Sequence, residues 1–149
     1  MVMAQQGRTL DSVEYLPLGG RAAVRINFAR LVSYQKHFPE KKGNTLEINI
    51  SLLKQRFGDE DTIVGTEVLL APQSNEIPLV GVTFDARNSN APVVIVRFTK
   101  DVTYSVKATS DQRGLLIRFP EIVYSDTIKE KERPKEPRKL LTLEDIATS

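Results

Sequence analysis

Cysteine is absent from the 149 residues, histidine occurs once, and no apolar run approaches the length of a membrane span. Without cysteine there are no disulfides, no thiolate nucleophile and no cysteine-based zinc site. That absence leaves the compartment open, because many proteins of oxidising compartments also lack cysteine. A single histidine supplies acid–base chemistry poorly. His37 stands beside Phe38-Pro39 at a strand end with no carboxylate nearby, the setting of a surface or packing residue. Also missing are a Gly-x-Ser-x-Gly elbow, a phosphate-cradling glycine-rich loop and a His-Glu-x-x-His pair. The sequence therefore nominates no catalytic residue, no metal ligand and no cofactor. Charge of one sign is lacking too. The formal net charge is +2, with 15 basic and 12 acidic residues up to Pro120 and 6 and 7 beyond it. Such a mildly basic body suits weak contact with an anionic polymer and does not mark a nucleic-acid binder. No leader is visible, Met1-Val2-Met3-Ala4 being too short for one, so the expectation is a cytoplasmic chain or one trimmed of its leader.

What the sequence does contain is a repeat. Ala23-Val24-Arg25-Ile26-Asn27-Phe28 ends in a phenylalanine followed by a basic residue two positions on (Arg30), valine four on (Val32) and tyrosine six on (Tyr34). Val93-Val94-Ile95-Val96-Arg97-Phe98 is followed in the same way by Lys100, Val102 and Tyr104. Self-similarity at a fixed offset is the mark of a duplicated structural unit.

Period-2 alternation places strands throughout both copies. In the first, Val13 and Tyr15, then Val24, Ile26 and Phe28, then Val32 and Tyr34, then Leu46, Ile48 and Ile50 each form one face. Gly19-Gly20 predicts a tight hairpin, and a bulge is expected around Arg30, where two alternating series fall out of step. In the second copy, Val80, Val82 and Phe84, then Val94, Val96 and Phe98, then Val102, Tyr104 and Val106, then Leu115, Ile117 and Phe119 repeat the pattern, with a turn at Arg87-Asn88-Ser89-Asn90. Between the copies, the segment from Ser51 to Asp61 is expected to begin as a short helix through Leu52–Phe57 stopped by Gly58, Asp59-Glu60-Asp61 lacks calcium-loop spacing and reads as solvated loop, and Val64 with Val68-Leu69-Leu70 predicts a short buried strand. Neither meander can cover its own apolar face. The expected fold is all-β, a two-sheet β-sandwich of two similar antiparallel β-meander units at about 10–50 and 78–120, with strand exchange between the units left open. Residues 1–9 are expected to be disordered. Residues 121–149 carry a charged, proline-bearing flexible linker and a helix start capped by Thr142.

Binding, on this reading, falls to the outward-facing residues. Arg25, Asn27 and Arg30 from the first unit, and Arg97, Lys100, Thr103, Ser105 and Lys107 from the second, offer donors and cations suited to sugar hydroxyls and carboxylates. An ordinary solvated sheet face is the plain alternative for each. Tyr34 and Tyr104 read as core residues with their hydroxyls near an edge. Glu47 and Asp85 are the carboxylates that a sugar-cleaving site would have to pair, although exposed strand charges are commonplace.

Two consecutive β-units, each with a strand of the type Val-Arg-Ile-Asn-Phe or Val-Ile-Val-Arg-Phe followed by a Val-x-Tyr strand, a turn and a closing Leu/Ile strand, resemble the AMIN domain over residues 10–120. That resemblance implies a non-catalytic, periplasmic cell-envelope module that binds peptidoglycan and localises a larger protein to the cell wall. Other envelope proteins are the alternative partners, taken up on a sheet edge or face as in secretin or pilus assemblies. The eight candidate residues come from alternation and not from the family.

Overall fold

The computed structural model describes residues 9–53, 65–88, 91–125 and 127–128. Residues 127–128 are helical, and nine strands build the domain: β1 (Leu10–Leu18), β2 (Arg21–Phe28), β3 (Val32–Phe38), β4 (Lys42–Leu52), β5 (Thr66–Leu70), β6 (Leu79–Asp85), β7 (Val93–Thr103), β8 (Ser105–Ala108) and β9 (Gly114–Val123). They form a four-stranded sheet in the order β1-β2-β9-β8 and a five-stranded sheet in the order β3-β4-β7-β6-β5, antiparallel throughout.

The fold is the expected two-sheet sandwich, but neither meander is itself a sheet. Each unit divides between the two sheets. β1 and β2 join β9 and β8 from the second unit, while β3 and β4 join β7 and β6. The crossing in the first unit occurs at residues 29–31, between β2 and β3, so the misfit around Arg30 is a corner between sheets and not a bulge. Its counterpart in the second unit is Tyr104, between β7 and β8, where the N–H of Tyr104 donates to the Lys41 carbonyl at 2.9 Å. Bulges do occur nearby, between Tyr34 and Lys36 in β3.

The exchange preserves the repeat. Replacing β1, β2, β3 and β4 by β6, β7, β8 and β9, and the reverse, turns β1-β2-β9-β8 into β6-β7-β4-β3, which is the five-stranded sheet without β5. Register obeys the same relation: Val24 pairs with Ile117 and Ile26 with Leu115, just as Val94 pairs with Ile48 and Val96 with Leu46. Each central ladder thus joins the second strand of one unit to the last strand of the other. Interlocked in this way, the two halves share one core and neither can bury its apolar face alone.

Alternation explains the local structure. Ala22, Val24, Ile26, Phe28, Leu115, Ile117 and Phe119 of the four-stranded sheet meet Leu46, Ile48, Val82, Phe84, Val94 and Val96 of the other, all buried. Phe98 and Phe119 join the sheets edge to face, with ring centroids 5.6 Å apart, the geometry that aromatic quadrupoles favour. Gly19 and Gly20 both take positive φ, 60° and 78°, as a two-residue hairpin of the primed type demands. β9 continues past Pro120 to Val123, and the ladder with β2 shifts between Phe119 and Val123, so the proline falls where pairing is interrupted. Tyr124 behind it is buried edge-on against Tyr15, 6.4 Å between centroids, and its N–H donates to the Gly20 carbonyl.

Three local expectations change. Val80, expected on one face with Val82 and Phe84, turns outward at 47% exposure, because the β6–β7 ladder shifts between Leu79 and Gly81 and makes Val80 the extra residue of a bulge. Ser51 and Leu52 finish β4 and do not open a helix. β5 forms as expected, but it is an edge strand, with Val68 and Leu70 facing water at 62% and 81% exposure. Consecutive apolar residues suggest burial on both faces, yet a two-layer sandwich covers only the inner face of each of its strands. The rest of the 51–57 segment, Asp59-Glu60-Asp61, Val64, Ser89-Asn90 and the Thr142-capped helix lie outside the described residues, as do residues 1–8.

Candidate functional site

Outward-facing residues form two separate surfaces. On the four-stranded sheet, cross-strand rows run Glu14–Arg25–Leu116–Lys107 and Leu16–Ala23–Arg118–Ser105, with Ser12–Asn27–Gly114 at one end. Of the eight candidates, this face gathers Arg25, Asn27, Ser105 and Lys107. Arg97 projects from the opposite side of the molecule, from β7 between Thr45 and Gly81. Lys100 lies where the β4–β7 ladder shifts, and Thr103 pairs with Lys42 at the end of that ladder. Arg30 occupies the corner between β2 and β3. The eight therefore do not make one site, because the strands that bear them belong to different sheets.

On the four-stranded face the side chains are organised around Arg25. Its Nη2 donates to Asp111 Oδ2 at 2.9 Å and its Nε donates to Asn27 Oδ1 at 2.5 Å. Asn27 Nδ2 in turn donates to Ser12 Oγ at 3.0 Å and to Glu14 Oε2 at 3.1 Å. Glycine at 114 makes room for this arrangement, since a Cβ there would stand 3.1 Å from the Arg25 guanidinium. Asp111 also accepts from the Thr109 hydroxyl and from the Arg113 N–H. Those hydrogen bonds, with Arg25 adding its charge, hold the Asp111 carboxyl down at about 2. Arg25 and Asn27 are thus committed within the protein, whereas Arg21, Lys107 and Arg118 project exposed from the same face. Arg118 was not among the candidates. Its alternation with Ile117 and Phe119 was the available signal.

His37 is held from both sides. Its Nε2 lies 2.9 Å from the Glu40 carbonyl, which can only accept, so Nε2 donates and Nδ1 accepts from the Tyr34 hydroxyl at 2.6 Å. Its ring meets Tyr104 edge to face at 6.3 Å, and the Tyr104 hydroxyl donates to the Pro39 carbonyl at 2.9 Å. Burial raises the phenol pKa of both tyrosines, Glu40 adding to the effect at Tyr34. This cluster ties the β3–β4 turn to the β7–β8 corner. Tyr104 is fully core and Tyr34 partly so.

Glu47 and Asp85 share the outer face of the five-stranded sheet but not a site. Glu47 pairs with Ile95 and Asp85 with Val93, on strands separated by β7. Two strand spacings and a two-residue offset put their Cα atoms roughly 12 Å apart. Asp85 is further occupied by a bidentate pair with Arg87, at 3.1 and 2.8 Å, whose hydrogen bonds lower its pKa. Among the described residues no group of three His, Asp or Glu side chains is placed to hold a metal ion.

Fold and surface together define an interlocked, internally repeated antiparallel β-sandwich with a basic, network-bearing face on its smaller sheet. No family model, curated protein or solved structure matches the chain.

Proposed function

We propose that the domain is a non-catalytic attachment module of the bacterial cell envelope, acting in the periplasm, whose four-stranded face binds peptidoglycan and so localises a larger protein or assembly at the wall. The observation carrying this reading is the exposure of Arg21, Lys107 and Arg118 on one pleated face, beside the Ser105 hydroxyl and the half-buried Leu16 and Leu116. Guanidinium groups pair with the carboxylates of wall peptides, hydroxyl and amide groups bond sugar hydroxyls, and aliphatic side chains pack against sugar rings. Two carboxylates that border this surface are already occupied, Asp111 by Arg25 and Glu14 by Asn27, which leaves the exposed cations available to an anionic ligand. The resemblance of the strand pattern to AMIN domains supports the same reading.

Cosedimentation with purified sacculi tests it. The double variant Arg118→Ala/Lys107→Ala should lose most pelleting, while Arg97→Ala/Lys100→Ala, on the other sheet, should pellet like the parent. Equal loss from both pairs would reduce the interaction to general electrostatics. No pelleting of the parent would shift the role to an envelope protein partner.

A further inference from the structure

Elsewhere in the domain exposed arginines find acidic partners, Arg25 in Asp111 and Arg87 in Asp85. Arg21, Lys107 and Arg118 of the four-stranded face do not: all three are exposed, and among the described residues no carboxylate pairs with them. Their placement is regular. Arg21 lies on β2 in the row Leu18–Arg21–Val123, Arg118 on β9 in the next row beside Ala23, and Lys107 on β8 in the row after that beside Leu116. Each step moves one strand across and two residues along, so the three cations form a diagonal stripe with Cα atoms roughly 8 Å apart at each step. A Cβ on Gly19 would stand 3.9 Å from Arg118 Nη2, so that guanidinium leans toward the Gly19-Gly20 hairpin and shortens its distance to the Arg21 end of the face. Neighbouring like charges repel, and the fold supplies no acid to relieve them.

The groups on this face that would suit a sugar are already engaged. The Asn27 amide accepts from Arg25 and donates to Ser12 and Glu14. Tyr15, Phe28 and Phe119, the aromatic residues of these four strands, are all buried in the core, so the face presents no ring on which a sugar could stack. What it keeps available is positive charge. In peptidoglycan the amino-sugar chain is neutral where its lactyl carboxyls are amide-linked to peptide, and the free carboxylates belong to the stem peptides. We infer that the Arg21–Arg118–Lys107 stripe recognises the carboxylates of an extended stem peptide and leaves the glycan outside the contact. This inference rests on the wall-binding reading and selects the part of the polymer that the face takes. The two guanidinium groups can each grip a carboxylate through paired N–H donors, while Lys107 acts as a point charge. In an extended peptide, side chains on one side recur at roughly 7 Å, close to the step of the stripe.

NMR titration of the chain with free stem peptide, with the same peptide amidated at its carboxylates, and with the wall disaccharide lacking peptide tests the assignment. Resonances of Arg21, Lys107 and Arg118 should move with the free peptide, and amidation should weaken binding by roughly tenfold or more. The disaccharide should move none of them. Arg21→Gln/Arg118→Gln should weaken peptide binding by roughly tenfold as well, with a melting temperature no lower than the parent's, because a like-charge contact is removed. Arg97→Gln, on the other sheet, should bind like the parent. Sacculus pelleting run beside the titrations separates two kinds of failure. A parent that pellets but answers the disaccharide as strongly as the peptide, or the amidated peptide as strongly as the free one, overturns this inference and leaves wall attachment standing. So does pelleting without any response to free peptide at millimolar concentration, and so does peptide affinity unchanged in the double variant. A parent that neither pellets nor responds to any probe overturns wall attachment itself, and this inference with it.

Discussion

The two sheets are copies of one design on the inside and unlike on the outside. Inward, Val24, Ile26 and Phe28 are answered by Val94, Val96 and Phe98, all buried. Outward, Arg25 is answered by Ile95, Asn27 by Arg97, Leu116 by Glu47 and Arg118 by Asn49. One sheet built a hydrogen-bonded polar network around its central arginine. The other kept an apolar residue there and added an open strand, β5, at its margin. The difference teaches that the shared core constrains side-chain volume on both inner faces alike, because close-packed interiors register single methylenes. The outer faces carry no such constraint and are free to diverge.

The interior half of this comparison makes the largest prediction. Ile117→Ala and Ile48→Ala occupy equivalent central positions, fully buried, and each should destabilise the fold by about 2–5 kcal/mol in denaturant titration. Costs that differ severalfold would show that the two halves of the core are not equivalent. A smaller effect belongs to Glu67, which has no match in the other sheet because β5 has none. Glu67→Ala leaves the Thr9 and Leu10 amides without their carboxylate, and stability should fall by about 1–3 kcal/mol. Faster hydrogen exchange should be confined to the start of β1; exchange accelerated equally across the domain would assign Glu67 a global role.

Smaller again is the pH response of the network face. Asp111 has a folded pKa below its unfolded value, so the stability it contributes is full above 3.8 and is lost as pH falls through about 2. Asp111→Asn should flatten stability against pH in that acidic window and leave neutral pH almost unaffected. Alkali acts in the opposite sense at Tyr104. Its raised pKa means the folded state resists ionisation, so its contribution holds below the unfolded value of 10.0 and is lost as pH rises beyond it. Tyr104→Phe should reduce that alkaline loss slightly in a melting series.

Much of this was legible from residue order. Alternation located the strands, Gly19-Gly20 located the first hairpin, and the Phe–basic–Val–Tyr spacing revealed the repeat. The candidate surface was legible only in part. Arg25, Asn27, Ser105 and Lys107 face outward from one sheet, but nothing in alternation says which sheet a strand joins, and Arg97 of the same outward series lies on the opposite side. Nor could spacing reveal that Arg25 would be engaged by Asp111, 86 positions away.

By itself the sequence determined the strand class, the inward series and the duplication, since these depend on short-range periodicity and on which residues avoid water. Tertiary structure alone decided that the units interlock, that the Arg30 region turns a corner, that Val68 and Leu70 meet solvent, and which cations of one face stay exposed among the described residues. Those outcomes depend on which strand becomes whose neighbour. Pairing energy is much the same for many such choices, and only the simultaneous burial of both inner faces selects among them.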